Sequence, residues 1–313
     1  MKKVSVVVPV YNAEQYIDQC MKCLLGQTLQ DIEIIAVNDK STDESGNILE
    51  KWMKKYPDII KVIHSNVNRG PGGARNLGIA LASGEYIGFM DCDDLIDRTM
   101  YEKLLSKAES DDCDIVDCGY YEELSDTKVL SYTDDVIGEL NPDKKNMIIA
   151  EVGYAVTKIF KSQILQREDM RIREGVIYED LDFLIHATLL AKRVGNVKEI
   201  LYIYKNNQQS VSKKHNEQKK FEDMISAFEA IQELDTEGVR MGMQYAKLTC
   251  IACAIGICLL NQDNSEFKLM ENLKEVRRIS AKTMENRQDN EFVISKMTNE
   301  NKNILDWFTS LKI

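Results

Sequence analysis

The chain has 313 residues, 44% of them apolar, and a formal net charge of −11 from 40 basic and 51 acidic side chains. That length suits one large domain or two modest ones with a full apolar core. The acidic excess excludes a general nucleic-acid binder, which needs clustered Lys and Arg to neutralise phosphates, but leaves room for a nucleotide held through a metal ion.

The opening stretch MKKVSVVVPVYNAEQ turns polar after eight residues and predicts a first strand over Val4–Val8, not an export signal. Ile17, Cys20, Leu24 and Leu25 follow at helical spacing. IEIIAV at 32–37 predicts a second strand, and Ser41 with Glu44 three residues on predicts a capping box for the next helix. IIKVIH at 59–64, EYIGFM at 85–90 and DIVDC at 114–118 continue the series, with a helix over 73–82 between the first two. This alternation predicts an α/β fold, a Rossmann-like and mainly parallel sheet flanked by helices and joined by right-handed crossovers.

YYEELSDTKVLSYTDD from 120 reads as a polar hairpin, followed by a helix near 143–151. From 216 onward apolar residues recur at three and four, so the expected division is an α/β domain over 1–215 and a helical C-terminal extension over 216–313. The apolar run LTCIACAIGICLL at 248–260 is too short to span a bilayer and predicts a buried helix. The basic cluster SKKHNEQKK at 212–220 opens this tail. The tail is expected to pack on the α/β domain, or to meet an acceptor, a partner subunit or the inner membrane surface. Of the eight cysteines, Cys20 with Cys23 and Cys250 with Cys253 form C-x-x-C pairs. Both pairs lie in apolar helical patterns without a nearby histidine, which predicts buried free thiols in a reduced, cytosolic protein.

In open sheets of this kind ligands bind beyond the carboxyl ends of the strands. That rule selects PVYN after the first strand, NDKSTD after the second and DCDD after the strand at 85–90. Asp-x-Asp occurs three times, at 91/93, 112/114 and 180/182, against about two expected by chance. Only Asp91 and Asp93 follow a strand. At i and i+2 they can point to one side, leaving positions open for water and phosphate oxygens, which suits Mg²⁺ or Mn²⁺. The competing reading is a solvated acidic turn, and Asp94 and Asp97 are read as turn or cap residues. Asp39 can accept a hydrogen bond from a nucleobase imide and Tyr11 offers a face for stacking, unless they are a helix-entry turn and a half-buried core tyrosine. NRGPGGARNLGI at 68–79 sets glycines ahead of a helix with Arg75 in the first turn, a pattern that can hold a diphosphate. Glu179 and Asp180 open an apolar helix, either as a general base or as carboxylates meeting the macrodipole.

Taken in order, VSVVVPVYNAEQYIDQC, VNDKSTDES, NRGPGGARNLGI, GEYIGFMDCDD and YEDLDF resemble the family 2 glycosyltransferases, inverting enzymes of GT-A fold, over residues 3–212. The resemblance implies that Pro9, Tyr11 and Asp39 hold the base, usually uracil, and that Arg75 approaches the donor diphosphate. It implies that Asp91 and Asp93 bind the ribose and a bridging Mn²⁺ or Mg²⁺, that Asp180 is the catalytic base with Glu179 beside it, and that Ser210 and Ser212 touch the diphosphate. Asn38 replaces a frequent aspartate of the family. Val156 and Thr157 stand where many relatives carry Trp-Asn, which removes an aromatic surface near the sugar sites.

The implied function is metal-dependent transfer from a UDP-sugar to a glycan or lipid-linked glycan in polysaccharide or glycoconjugate synthesis. The implied place is the cytoplasm or the inner face of the cell membrane, with the tail available for self-association. A nucleotidyltransferase would need a glycine-rich basic loop after the first strand, which PVYNAEQY lacks. A non-catalytic sugar-binding protein of the same fold would not need Asp91, Asp93 and Asp180 together.

Overall fold

The computed structural model describes residues 2–130, 132–205, 207, 216–234, 237–261, 268–285 and 287–311. The chain forms two compact units, one of residues up to 140 together with 153–207, the other of residues 141–152 with the described residues after 207.

The first unit is built on one sheet. In chain order it contains β1 (Val4–Val10), α1 (Ile17–Leu25), β2 (Ile32–Asn38), α2 (Ser45–Lys55), β3 (Ile60–His64), α3 (Gly70–Leu81), β4 (Tyr86–Phe89), β5 (Leu95–Ile96), α4 (Met100–Asp111), β6 (Ile115–Glu122), β7 (Thr127–Val129) and β8 (Gly138–Glu139). After the segment that joins the second unit come β9 (Lys158–Lys161), α6 (Ser162–Leu165), α7 (Asp180–Leu190) and β10 (Arg193–Tyr204). The sheet order is β3-β2-β1-β4-β9-β6-β10-β5, with β7 on β6 and β8 on β10. β3, β2, β1 and β4 are parallel, as the strand–helix alternation implies. β1 and β2 are buried along nearly their whole length, which is why they read as unbroken apolar runs.

Beyond β4 the sheet becomes mixed. β9 runs antiparallel between β4 and β6, and β10 then pairs parallel with β6. The polar stretch after 120 forms the expected hairpin of β6 and β7. α7 covers the β4–β9 junction through a cluster of Phe89, Phe160 and Phe183, whose ring centroids lie 5.8–6.0 Å apart.

Two helices begin elsewhere than the sequence suggests. α2 starts at Ser45, and Ser41 accepts a hydrogen bond from Asn12 N–H at 3.0 Å, so Ser41 and Glu44 form no capping box. The chain is diverted there by the left-handed Lys40, φ 61°. α3 starts at Gly70 with Pro71 in its first turn, so the glycines belong to the helix. A Cβ on Gly72 would lie 2.0 Å from the Arg173 carbonyl oxygen, and one on Gly78 would lie 2.3 Å from Val7 Cγ1. These glycines therefore let α3 press against β1 and against the segment before α7.

The second unit contains α5 (Pro142–Ala150), α8 (Glu217–Glu233), α9 (Arg240–Leu260), α10 (Leu269–Met284), α11 (Glu291–Lys296) and α12 (Asn299–Ser310). Asn141, Asn216, Asn290 and Thr298 cap four of these helices through their side chains. α5 belongs here because Gly242 comes close enough for its N–H to donate to Asn146 Oδ1 at 2.8 Å. The apolar run at 248–260 lies within a helix of 21 residues, long and apolar enough in length and composition to cross a membrane. More than half of that apolar stretch is buried within the unit, as in a core helix. All eight cysteines are free, but Cys253 is exposed and Cys23 half-buried.

Candidate active site

The carboxyl ends of β2, β1 and β4 lie side by side. Val10 is in register with Asn38, and Val7 with Phe89, so the residues that follow these strands share one edge of the sheet. The loops after β1 and β2 are laced together: Thr42 N–H donates to Asn12 Oδ1 at 2.8 Å, Ala13 N–H to Ser45 Oγ at 2.9 Å and Glu14 N–H to Asp43 Oδ2 at 3.1 Å. Asn38 braces the turn by accepting from Ser41 N–H and by pairing its amide with His64 Nδ1 at 3.0 Å.

Asp39 is buried, and its carboxylate accepts the Arg69 N–H at 2.9–3.0 Å, at the entry to α3. Burial holds its carboxyl above the usual range, partly offset by the Arg69 and Gly70 amides. Tyr11 stands exposed beside it at the end of β1, and Pro9 is half-buried within the strand.

Asp91 and Asp93 follow β4. Asp91 Oδ1 lies 2.7 Å from Arg75 Nη2, and Arg75 Nη1 lies 2.6 Å from Glu179 Oε1, so one buried guanidinium bridges the end of β4 to the start of α7. The same guanidinium rests on Phe89, 5.9 Å from its centroid. Arg75 is thereby committed to two carboxylates 16 and 104 residues away. Asp93 Oδ2 accepts from Asn207 Nδ2 at 2.7 Å, and Asn207 Oδ1 accepts from the Tyr16 hydroxyl at 3.0 Å. Asn207 was not legible as a site residue, because a single asparagine in a polar loop carries no pattern.

Asp94 is no surface cap. It is buried, accepts from the Tyr202 hydroxyl at 2.6 Å and from Lys205 N–H at 2.8 Å, and is pushed up to about 8 by burial and then by the Asp91 charge. β10 supplies both partners, and no local pattern around residue 94 announces them. Asp97 is a turn residue as expected, accepting from Thr99 N–H at 2.8 Å.

The segment before α7 is held in a shape that costs energy. Tyr178 takes a left-handed conformation, φ 61°, which disfavours a bulky side chain by roughly 1–3 kcal/mol. Arg173 compensates by donating to the Tyr178 carbonyl at 2.6 Å and to Asp182 Oδ1 at 2.7 Å. Gly175 N–H donates to the Arg69 carbonyl at 2.6 Å, tying this segment to the entry of α3. Glu179 is buried against Arg75, whereas Asp180 opens α7 half-buried. Burial first, then the charge of Glu179, raise the Asp180 carboxyl from 3.8 to about 7, against the opposing pull of Arg75. Ser210 and Ser212 lie outside the described residues.

Among the described residues no three His, Cys, Asp or Glu side chains converge on a single point that would close a metal cage. Asp91 and Asp93 nevertheless fit a divalent ion of the Mg²⁺ kind. Such ions are commonly held by one or two carboxylates while substrate phosphates and water fill the remaining positions.

Known proteins resemble this chain in sequence and in fold. A profile of the family described as glycosyl transferase family 2 matches residues 5–169. EpsJ of Bacillus subtilis, an uncharacterised glycosyltransferase, is 36% identical over 219 residues, covering 67% of this chain and 62% of EpsJ. The structure of S. aureus TarS 1–349 in complex with UDP-GlcNAc superposes with a TM-score of 0.72 at 21% identity, over 98% of this chain and 91% of that one. The mannosyltransferase PcManGT of Pyrobaculum calidifontis, in complex with GDP-Man and Mn²⁺, superposes with a TM-score of 0.58 at 14% identity, over 94% and 85%.

Proposed function

The chain belongs to glycosyl transferase family 2 with a GT-A fold, and we propose that it is a metal-dependent inverting enzyme that moves a sugar from a UDP-sugar to a glycan or lipid-linked glycan hydroxyl. The observation that carries this reading is the Arg75 bridge, which holds a donor-side carboxylate, Asp91, and the Glu179–Asp180 pair in one cluster.

Asp39 accepts the imide N–H of the base and Tyr11 stacks on its face. Asp91 and Asp93 lie two strand spacings away, roughly 10 Å, a span that the ribose bridges to reach the diphosphate. Asp91 and Asp93 would hold a divalent ion, which would supply positive charge to a diphosphate leaving group. TarS and PcManGT, each crystallised with a nucleotide sugar and the latter with Mn²⁺, support this donor class.

Asp180 takes the proton of the acceptor hydroxyl as that oxygen attacks the anomeric carbon from the face opposite UDP. Its raised pKa suits the task, since a general base works best when its pKa lies near the operating pH. Glu179 and Arg75 act as positioning residues: Glu179 raises the basicity of Asp180, and Arg75 locks the geometry. We place the activity in polysaccharide or glycoconjugate synthesis on the cytoplasmic side of the cell membrane, with the helical unit available for membrane or subunit contact.

Titration calorimetry with UDP tests the donor assignment. The full chain should bind UDP at one site in MnCl₂, at least ~10-fold more weakly in EDTA, and more weakly again after Asp39→Ala. UDP binding indifferent to both changes, or no binding at all, would overturn it.

A further inference from the structure

Three tyrosines on one face of the sheet lie next to this site, and of these only Tyr202, the partner of Asp94, has a part in it so far. Tyr202 and Tyr204 are two residues apart on β10, so their side chains leave the same face, and Tyr120 on β6 is the register partner of Tyr202. The Tyr202 hydroxyl donates to Asp94 at 2.6 Å and accepts from Asp91 N–H at 3.3 Å, which sets that face beside the carboxylates. Tyr154, in the turn ahead of β9, packs against the other two rings. It stacks on Tyr204 with centroids 6.2 Å apart and planes at 10°, and meets Tyr120 edge-on at 5.1 Å and 75°. Yet 40% of Tyr154 stays exposed.

A buried ion pair holds the turn that carries this ring. Lys158 Nζ lies 3.2 Å from Asp117 Oδ1, both side chains sealed from water, and donates to the Tyr154 carbonyl at 3.0 Å. Thr157 Oγ1 lies 3.0 Å from the same carbonyl and 2.6 Å from Asp117 Oδ1. A buried ion pair adds little net stability because desolvation offsets its attraction; what this one secures is the placement of an exposed aromatic ring. After burial and Glu122, the Asp180 charge raises the Tyr154 pKa, and after burial the charges of Asp94, Asp91 and Asp93 raise that of Tyr204. The rings thus lie within the field of the donor carboxylates and of the base.

We propose that Tyr154, backed by Tyr204 and Tyr120, is the platform on which the acceptor's sugar ring stacks, so that the acceptor hydroxyl belongs to a cyclic sugar and not to an open-chain polyol. The proposal rests on the assignment of Asp180 as base. One face of a pyranose is a patch of C–H groups carrying partial positive charge, which an aromatic face attracts, while the hydroxyls around the rim remain free to reach a carboxylate. An extended polyol has no such flat face. The donor nucleotide is assigned to the edge formed by β2, β1 and β4, whereas Tyr154 packs on Tyr120 of β6 and Tyr204 of β10, on the other side of β4. Asp91 beside that tyrosine face is bridged through Arg75 to Glu179, next to Asp180. Val156 and Thr157 are not aromatic, but Tyr154 just before them supplies the aromatic surface that their identity alone suggests is missing.

Saturation-transfer NMR on the full chain with UDP and MnCl₂ tests this, using methyl β-D-glucopyranoside, methyl β-D-galactopyranoside and methyl N-acetyl-β-D-glucosaminide against ribitol and glucitol. At least one glycoside should receive saturation through the C–H groups of one ring face, while both polyols receive little. Tyr154→Ala should weaken that glycoside roughly 5-fold or more, Tyr154→Phe should preserve it, and UDP affinity should stay unchanged in both. Polyols binding as well as glycosides, no glycoside binding, or a glycoside signal insensitive to Tyr154→Ala would overturn the platform. Equal loss in Tyr154→Phe would replace stacking with a hydroxyl contact, and loss of UDP affinity in Tyr154→Ala would move the residue to the donor site; either overturns the proposal. Glycoside binding without UDP binding in the unmodified chain would overturn the donor reading and leave the platform standing.

Discussion

Asp180→Asn separates catalysis from stability in a way a structural cap cannot imitate. The folded protein raises the Asp180 carboxyl from 3.8 to about 7, chiefly through burial, so the ionised side chain is less favourable folded than unfolded. A raised carboxyl pKa means that stability falls as pH climbs from about 4 to about 7 and stays at its lowered level above that. The interval corresponds to at most ~4 kcal/mol. Asp180 keeps part of its surface in water, so solvent screening reduces this to about 2 kcal/mol. Replacing the carboxylate by an isosteric amide removes that penalty. At pH 8.5 the variant should therefore melt about 4–8 °C above the unmodified chain. The gap should narrow at about pH 5, where the folded carboxyl is protonated, closing only below about pH 4, where the carboxyl is neutral in the unfolded chain as well. Transfer should fall at least ~10²-fold, the scale of general base catalysis, with UDP affinity unchanged. Differential scanning calorimetry at the two pH values, together with a UDP-release assay, reads all three quantities. A melting temperature equal to that of the unmodified chain at pH 8.5, or full transfer, would refute the reasoning.

Asp93→Asn should weaken UDP binding in MnCl₂ by ~10-fold or more and leave the weaker binding in EDTA unchanged, which calorimetry would show; an equal loss in both would mean that Asp93 does not act through a metal. Arg75→Ala strands Asp91 and Glu179, and breaking a buried pair in this way costs on the order of 3–5 kcal/mol. Urea denaturation should record that loss, and a cost below about 1 kcal/mol would remove Arg75 from its bridging role. Lys158→Met leaves Asp117 buried and unpaired and should destabilise by a similar amount. Lys158→Met paired with Asp117→Leu should recover much of that cost, and a double variant as unstable as the single one would contradict the pairing.

Much of the parallel half was legible because buried parallel strands write themselves as apolar runs. Val4–Val10, Ile32–Asn38 and Tyr86–Phe89 stand out for that reason, and their carboxyl ends locate Tyr11, Asp39, and Asp91 with Asp93, in that order. β9 was not legible. It is four residues long, and its antiparallel direction is set by pairing with β4 and β6, not by its own composition. The start of α3 was missed because Gly and Pro ordinarily break helices, whereas here the absence of side chains permits close packing against Arg173 and Val7. The roles of Arg75 and Asp94 depend on partners 104 and 108 residues distant, Glu179 and Tyr202, and no local periodicity encodes such pairings.

The stereochemistry of donor breakdown tests the central claim most directly. Inverting transfer from α-linked UDP-glucose, UDP-galactose or UDP-N-acetylglucosamine must form a β product, and water entering the acceptor position obeys the same geometry. Proton NMR of the unmodified chain with each donor and MnCl₂, sampled before mutarotation, should show UDP release with the β-sugar appearing first for at least one donor, and a much slower release in Asp180→Asn. Release of the α-anomer first, or no release of UDP from any of the three, would contradict it.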